Sequence, residues 1–474
     1  MGFSQALSGL NSAAAKLDVV GNNIANSQTV GFKSSGAQFA DVYAGSVGLG
    51  TRVSAVLQNF KDGNIESTNR NLDLAIAGQG FYRFQQGGGE VLYSRNGQLS
   101  LNADGDLINA QGAKLMGYGL EDANDPFSAV AAGGEPVVLN VPSDDMPANA
   151  TDNLNIKLNL DAGEAVIPAW VDGNGDAYSF NAAGRLEDES GTVVTFVDGG
   201  TTYEIGRDAN GDPVAIDQGT GTESPATALA APYDSVASTF DPSDSTTYSY
   251  STSASVFDSQ GNARNLTLFY TKTAGNEWRV DARLSGGPAG APEILAEEVT
   301  SLGFNTNGAL VSGGQVNMNL NLGAEFDALD IAFNQTGSTQ FANTSTVNDL
   351  DQDGYTSGTL VGIAIQEDGT VMRNYSNEQS VAAGQIVLAN FRNPEGLSAE
   401  GDNGWTATQA SGQELLGTPG AGVLGAIQSG AIETSNVDMA RELVEMIVTQ
   451  RAYQANSQTI KTQDEVLQTA INLR

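Results

Sequence analysis

Two heptad-like seams, one towards each end of the chain, constrain its fold more than any other feature. Phe3, Leu7, Leu10, Ala14, Leu17 and Ile24 recur at spacings of 4-3-4-3 and then seven, with Gly21 at the intermediate position. Met439, Leu443, Met446, Tyr453, Ile460, Leu467 and Ile471 keep a second 4-3 register. Apolar residues every 3.5 positions mark one face of an amphipathic helix that needs a partner along its length. Ser435 and Asp438 have the spacing of a capping box, so the second helix is expected from about 436 to 473. At 1.5 Å per residue it would run roughly 57 Å, more than a small domain can cover. Gln450, Ser457 and Asp464 interrupt its seam, and each needs a polar partner if buried. A packed helical hairpin fits this periodicity, and so does completion by copies of the same chain. Long helices on either side of β-like sequence favour the copies.

Composition separates the ends from the middle. All 13 prolines lie between Pro126 and Pro419, and residues 71–430 carry −34 of the net −35 charge. The middle is acidic and rich in Gly, Ser, Thr, Asn and Asp, as surface-exposed β domains often are. The chain of 474 residues has neither Cys nor His. That excludes disulfides, thiol nucleophiles, zinc fingers and a Ser-His-Asp triad. So acidic a surface repels phosphates and argues against nucleic acid, and no run reaches the roughly 18 apolar residues of a membrane helix. The N-terminal seam lacks a basic leader before a continuous apolar core, so no cleaved secretory signal is expected.

From Asn71 the period becomes alternating. Leu72, Leu74 and Ile76 share one face of an expected strand, followed by Phe81–Phe84, Val91–Ser94, an Asn96-Gly97 turn, Leu99–Leu101, an Asp104-Gly105 turn and Leu107-Ile108. Gly78-Gln79-Gly80 lacks the third glycine and following helix of a nucleotide loop. Further strands are expected at Thr192–Val197, Tyr248–Tyr250, Leu266–Tyr270 and Trp278–Val280, with turns at Gln260–Asn262 and Asn307-Gly308. Residues 218–254 read as a polar loop or solvent-facing insertion.

Gly9-Leu10-Asn11, Lys16-Leu17-Asp18, Gly21-Asn22-Asn23-Ile24-Ala25-Asn26 and Thr29-Val30-Gly31-Phe32-Lys33 resemble the amino-terminal signature of bacterial flagellar axial proteins. Ser435–Asp438, Glu442-Leu443-Val444 and Gln450–Asn456 resemble the matching terminal signature of the rod and hook proteins. Looser resemblances to hook-type sequence run through Tyr250–Val280, Gly303–Leu310, Gln352–Tyr355 and Ile386–Phe391. The broad central insertion fits the hook type better than the short distal-rod type, and flagellin termini carry different motifs. Independently of the resemblance, Asn22, Asn23 and Asn26 suit a helix end, because their side chains bond local backbone, and Gly21 and Gly31 permit unusual dihedrals.

The resemblance implies a multidomain α+β chain: long terminal helices pairing in an assembly core, with β-rich outer domains inserted between them. On that plan 1–30 and 436–474 form the helical core, 31–70 and 406–435 connect, 71–147 and 336–405 build an inner β domain, and 148–335 an outer one or two. It implies a non-enzymatic, cofactor-free subunit of an extracellular tube that transmits motor torque to the filament. The implied partners are further copies, the distal rod, the hook cap, the hook–filament junction proteins and the flagellar type III export apparatus. Leu7, Leu10, Leu17, Ile24, Leu443, Met446, Tyr453, Ile460 and Leu467 are the expected self-assembly residues, with Asn22, Asn23, Asn26, Gly31 and Phe32 as the motif beside them.

Other chemistries are weaker. Asp349, Asp351 and Asp353 with Gly354 match the first half of a calcium loop, but Leu360 stands where the bidentate Glu belongs. Asp172–Asp176 and Asp208–Asp212 lack the glycine at the sixth position and read as polar turns. An acidic β-rich protein that binds or hydrolyses carbohydrate is the enzyme-class rival, but no spacing singles out a carboxylate pair.

Overall fold

A computed structural model of the chain describes residues 2–472, apart from 45–46, 123–124, 132, 168–169, 172–176, 181–184, 189, 208–212, 226–236, 239, 287–292 and 323–326. The polar turns expected at Asp172–Asp176 and Asp208–Asp212 lie outside the described residues. The architecture is mostly β, with one long helix towards each end and two compact units: residues 1–145 with 359–474, and residues 146–358.

The second unit grows from period-two sequence. In the strand Asn153–Asp161, Leu154, Ile156, Leu158 and Leu160 alternate with polar residues and are fully buried. They face Leu266, Leu268, Tyr270, Trp278, Val280 and Leu284 in one hydrophobic core. These last come from an antiparallel meander of Tyr250–Phe257, Ala263–Ala274, Glu277–Ser285, Ile294–Phe304 and Leu310–Ser312. The expected strands at 266–270 and 278–280 are its centre, and the glycine turns at 261 and 308 reverse the chain. Leu186, Val194, Phe196, Ile205 and Ala215 form a separate small core. Thr339–Phe341 and Thr346–Gln352 both pair with Asn153–Asp161. Residues 336–358, assigned in sequence to the inner domain, therefore belong here.

The first unit contains the helix α1 (Gly2–Ala25), the hairpin β1 (Ser35–Ala44) and β2 (Val47–Gln58), a β domain, and the helix α2 (Met439–Asn472). Its main sheet runs in spatial order through Leu360–Ile365, Thr370–Tyr375, Ser380–Ile386, Lys114–Tyr118, Phe81–Gln85, Val91–Ser94, Gly404–Thr406 and Ser398–Gly401. Asp73–Ala77 is central in a second small sheet, between Ala426–Ser429 and Gly97–Gln98. Asp73, Leu74, Ala75 and Ile76 are all buried, so the single apolar face expected there is a strand covered on both sides.

Three local expectations are corrected. Asn96-Gly97 is not a hairpin turn: Val91–Ser94 pairs within the main sheet while Gly97–Gln98 pairs with Asp73-Leu74, because Arg95 turns inward between them and the chain changes sheets. The Asp104-Gly105 turn does join paired strands, Ser100-Leu101 and Leu107-Ile108. The Ser435–Asp438 capping box does not form. Asp438 is itself the cap, with Arg441 N–H donating to its Oδ1 at 3.1 Å, while Ser435 Oγ accepts from Val437 N outside the helix. Gly21 lies inside α1 rather than at its end.

Candidate assembly interface

Small residues line the face of α1 that its own chain covers. Ala6, Ala13 and Val20 are buried at seven-residue intervals, the 3.5-residue period of a helix contact. Gly9 lies so close to α2 that a Cβ there would stand 2.9 Å from Asn456 Nδ2. Lys16 forms an ion pair with Glu445. The helices are therefore neighbours within one chain, and α1 also leans on the hairpin. Gln5 Nε2 donates to Gly48 O at 2.6 Å, Ser12 Oγ meets Thr51 Oγ1 at 2.8 Å, and Thr51 N donates to Ser8 Oγ at 3.2 Å.

The motif at the end of α1 locks the helix to the start of β1. Asn23 Nδ2 donates to Ser35 O at 2.8 Å, and Ser35 N donates back to Asn23 Oδ1 at 2.9 Å. Asn26 Nδ2 bonds Asn22 O and Oδ1, and Thr29 Oγ1 donates to Asn26 Oδ1, closing the last turn. Gly31 holds φ +72°, and a Cβ there would meet Asn96 N at 2.7 Å, so both dihedral and space require glycine. Phe32 is buried beside it.

This motif leads into an ion cluster that sequence reading passed over. Glu433 accepts Lys33 Nζ at 2.6 Å, Gly63 N at 2.7 Å and Arg95 Nε at 2.8 Å. Arg95 also donates to Asp62 Oδ1 and to the carbonyls of Gly78 and Gly80, each at 2.7 Å. The glycine pair is thus an arginine cradle. Lys33, Arg95 and Glu433 are almost wholly buried. Burial pushes the Glu433 carboxyl up, but Arg95 and then Lys33 outweigh it and hold the group below the usual carboxylate range. Burial, reinforced by Arg95, pulls the Lys33 ammonium down against the opposing pull of Glu433. Asn436 completes the clamp, accepting from Ser34 N at 2.8 Å and donating to Asn59 O at 2.7 Å. The only sequence signal was a lone acid and lone bases in nearly neutral segments.

The seam residues divide into two sets. On α2, Met446, Tyr453 and Ile460 share a stripe with buried Thr449 and with Asn456, which meets α1; Met446 and Ile460 are half-buried and Tyr453 is more open. Leu467 is exposed further along. On α1 the leucine seam is turned from the small-residue face: Leu7 is exposed, and Leu10, Leu17 and Ile24 are half-buried. Leu443 is exposed too, within a patch that the periodicity did not reveal, completed by Val444, Ile447 and Val448. Their exposures are 45, 62, 51 and 57%.

The aspartates weighed as a calcium loop are extended instead. Asp349 and Asp351 lie in Thr346–Gln352, where Asp349 pairs with Lys157 at 3.0 Å. Asp353 accepts from the backbone of Asp152 and Asn153, at 3.0 and 2.9 Å. No group of three or more acidic side chains placed to hold a metal occurs among the described residues.

Four family models match along the chain: flagella basal body rod protein at 4–33, flagellar hook protein FlgE/F/G D1 domain at 75–161, flagellar basal body protein FlaE D2 domain at 223–355, and flagellar basal body rod FlgEFG protein C-terminal at 428–473. The flagellar hook protein FlgE of Salmonella typhimurium is 40% identical over 100% of both chains, and that of Escherichia coli K12 is equally similar. The Borreliella burgdorferi protein of the same name is 30% identical over 99% of this chain and 98% of its own. The crystal structure of Helicobacter pylori flagellar hook protein FlgE2 overlays with a TM-score of 0.49 at 14% identity, covering 78% of this chain and all of that one. The chain belongs to the flagellar hook protein FlgE family.

Proposed function

We propose that the chain builds the flagellar hook by polymerising through its terminal helices into a flexible curved tube that carries motor torque to the filament. The observation that carries this reading is the apolar surface that α1 and α2 leave uncovered in a single copy, Leu7, Leu443 and Leu467 among it. Burying a Leu, Ile or Met side chain is worth roughly 1.5–3 kcal/mol, so several such contacts per copy outweigh the mutual repulsion of acidic middles. Outer contacts through polar β surface suit a joint that flexes, since exposed ion pairs contribute only ~0–1 kcal/mol each and exchange cheaply. Residues 1–30 and 436–474 are the assembly core in this reading, and the β units form the outer layers. Export through the flagellar type III apparatus without a cleaved signal, and docking to distal rod, hook cap and junction proteins, are inferred from the family. We assign no catalytic step and no cofactor.

Electron microscopy of concentrated protein tests the proposal directly: helical tubes are expected. Leu443→Asp should abolish them while leaving the melting of both β units within about 0.5 kcal/mol, the usual range for an exposed substitution. Tubes that persist in that variant, or a wild-type chain that remains monomeric, would sink it.

A further inference from the structure

We infer that copies join head to tail, the leucine face of α1 in one copy seating on the Leu443–Val448 patch of α2 in the next. The inference rests on the assembly reading above and adds the contact that makes it directional. At about 100° per residue, Phe3, Leu7, Leu10, Ala14 and Leu17 centre about 100° around α1 from the Ala6–Gly9–Ala13–Val20 face that the chain covers itself. On α2, Leu443, Val444, Ile447 and Val448 centre about 150° from the stripe of Glu445, Thr449 and Asn456. Each helix thus has one face used within the copy and a second, apolar face left open. The open faces are unlike each other and belong to different helices.

Charge distinguishes the possible pairings. The open side of α1 carries exposed Asp18, while its one lysine, Lys16, is turned to Glu445. The α2 patch is bracketed by exposed Arg441 and Arg451. An α1 face against another α1 face would oppose two Asp18 carboxylates, and two α2 patches would oppose four guanidinium groups. The unlike pairing sets Asp18 near an arginine. Like-with-like contacts close into dimers, whereas a contact between different surfaces propagates into rings or open helices, as a tube requires. The occupant of each open face is accordingly the other face of a second copy.

The absence of cysteine makes this testable by cross-linking. Single variants Leu7→Cys, Leu10→Cys, Leu17→Cys, Leu443→Cys and Ile447→Cys are assembled in reductant, imaged, then oxidised. Tubes made from a mixture of one α1 variant and one α2 variant should give covalent dimers containing one of each, for at least one of the six pairs. Tubes of any single variant should give none. The matching double variant, such as Leu10→Cys with Ile447→Cys, should give a ladder of multimers. Disulfides form only when Cα atoms approach within about 7 Å, so the pair that cross-links fixes the register. Dimers from a single variant, a monomer closed on itself in the double variant, or tubes in which no pair cross-links would overturn the head-to-tail contact while leaving assembly intact. Failure of the unmodified chain to form tubes would instead remove the assembly reading on which it rests.

Discussion

At Glu433 one carboxylate serves two buried cations, and its neighbours show why it cannot be spared. Glu433→Gln keeps the shape but leaves Lys33 and Arg95 with only the half-exposed Asp62 and backbone carbonyls. Removing one partner of a buried pair typically costs about 3–5 kcal/mol, so amide exchange in Asp73–Ala77 should accelerate by the corresponding factor. The same residue sets an acid limit. Its folded pKa is lowered, so its contribution is complete above the ordinary glutamate value of about 4.3 and is lost as pH falls through the lower folded value. Acid titration of the wild-type unit should show this loss, and Glu433→Gln should flatten it. An unchanged acid midpoint in the variant would put the burden on other carboxylates. None of this was legible in sequence, where Glu433, Arg95 and Lys33 are scattered single charges whose meeting depends on tertiary structure.

Elements were legible to the degree that their period was clean. The Leu154–Leu160 alternation and the two seams declared a strand and two helices, and those elements are present. The β1–β2 hairpin was not seen, although Gly45-Ser46 separates two runs of apolar residues. Register shifts at Gln38/Phe39 and Val42/Tyr43 break its alternation, and a bulge erases the period-two signal that strand reading depends on. The α1 seam named a real apolar face but not the one its chain uses, since alanine and glycine contacts carry little hydrophobic signal. That difference yields a prediction for the monomer. Asn23 ties α1 to β1, whereas α2 beyond Gln450 has chiefly half-buried and exposed residues. In hydrogen exchange on the monomer, residues 451–472 should lose protection first, α1 next, and Asp73–Ala77 last. Equal protection across both helices and the strand would show that the helices gain nothing from neighbours.

For the molecule as a whole, the division between core and connector moves. Residues 31–70 and 406–435 were expected to connect, yet Ile65–Ser67 pairs with Ala431–Glu433 and the ion cluster binds both stretches to the β domain. A fragment of 71–430 therefore loses Glu433 and buries Arg95 without it. A fragment of 31–436, which keeps the cluster, should resist urea better by about 3–5 kcal/mol in its first unit. Equal urea midpoints for the two fragments would return those stretches to the status of linkers. The clamp also imposes an order of events on folding. Lys33 and Glu433 are 400 positions apart, and the ring they close is shortened to roughly 190 residues once 146–358 has folded, a saving of only ~0.7 kcal/mol in closure entropy. Timing matters more than that energy. Met146 and Gly358 are joined by reciprocal backbone hydrogen bonds at 2.8 and 3.0 Å, so the inserted unit can finish from its own residues while the unit around it waits for the last tenth of the chain. A polypeptide interrupted before Glu433 thus carries a finished insertion on an unclosed base, and it lacks α2 as well. Completion of the clamp coincides with completion of the parts needed to polymerise, which keeps truncated copies out of the growing structure without any separate inspection step.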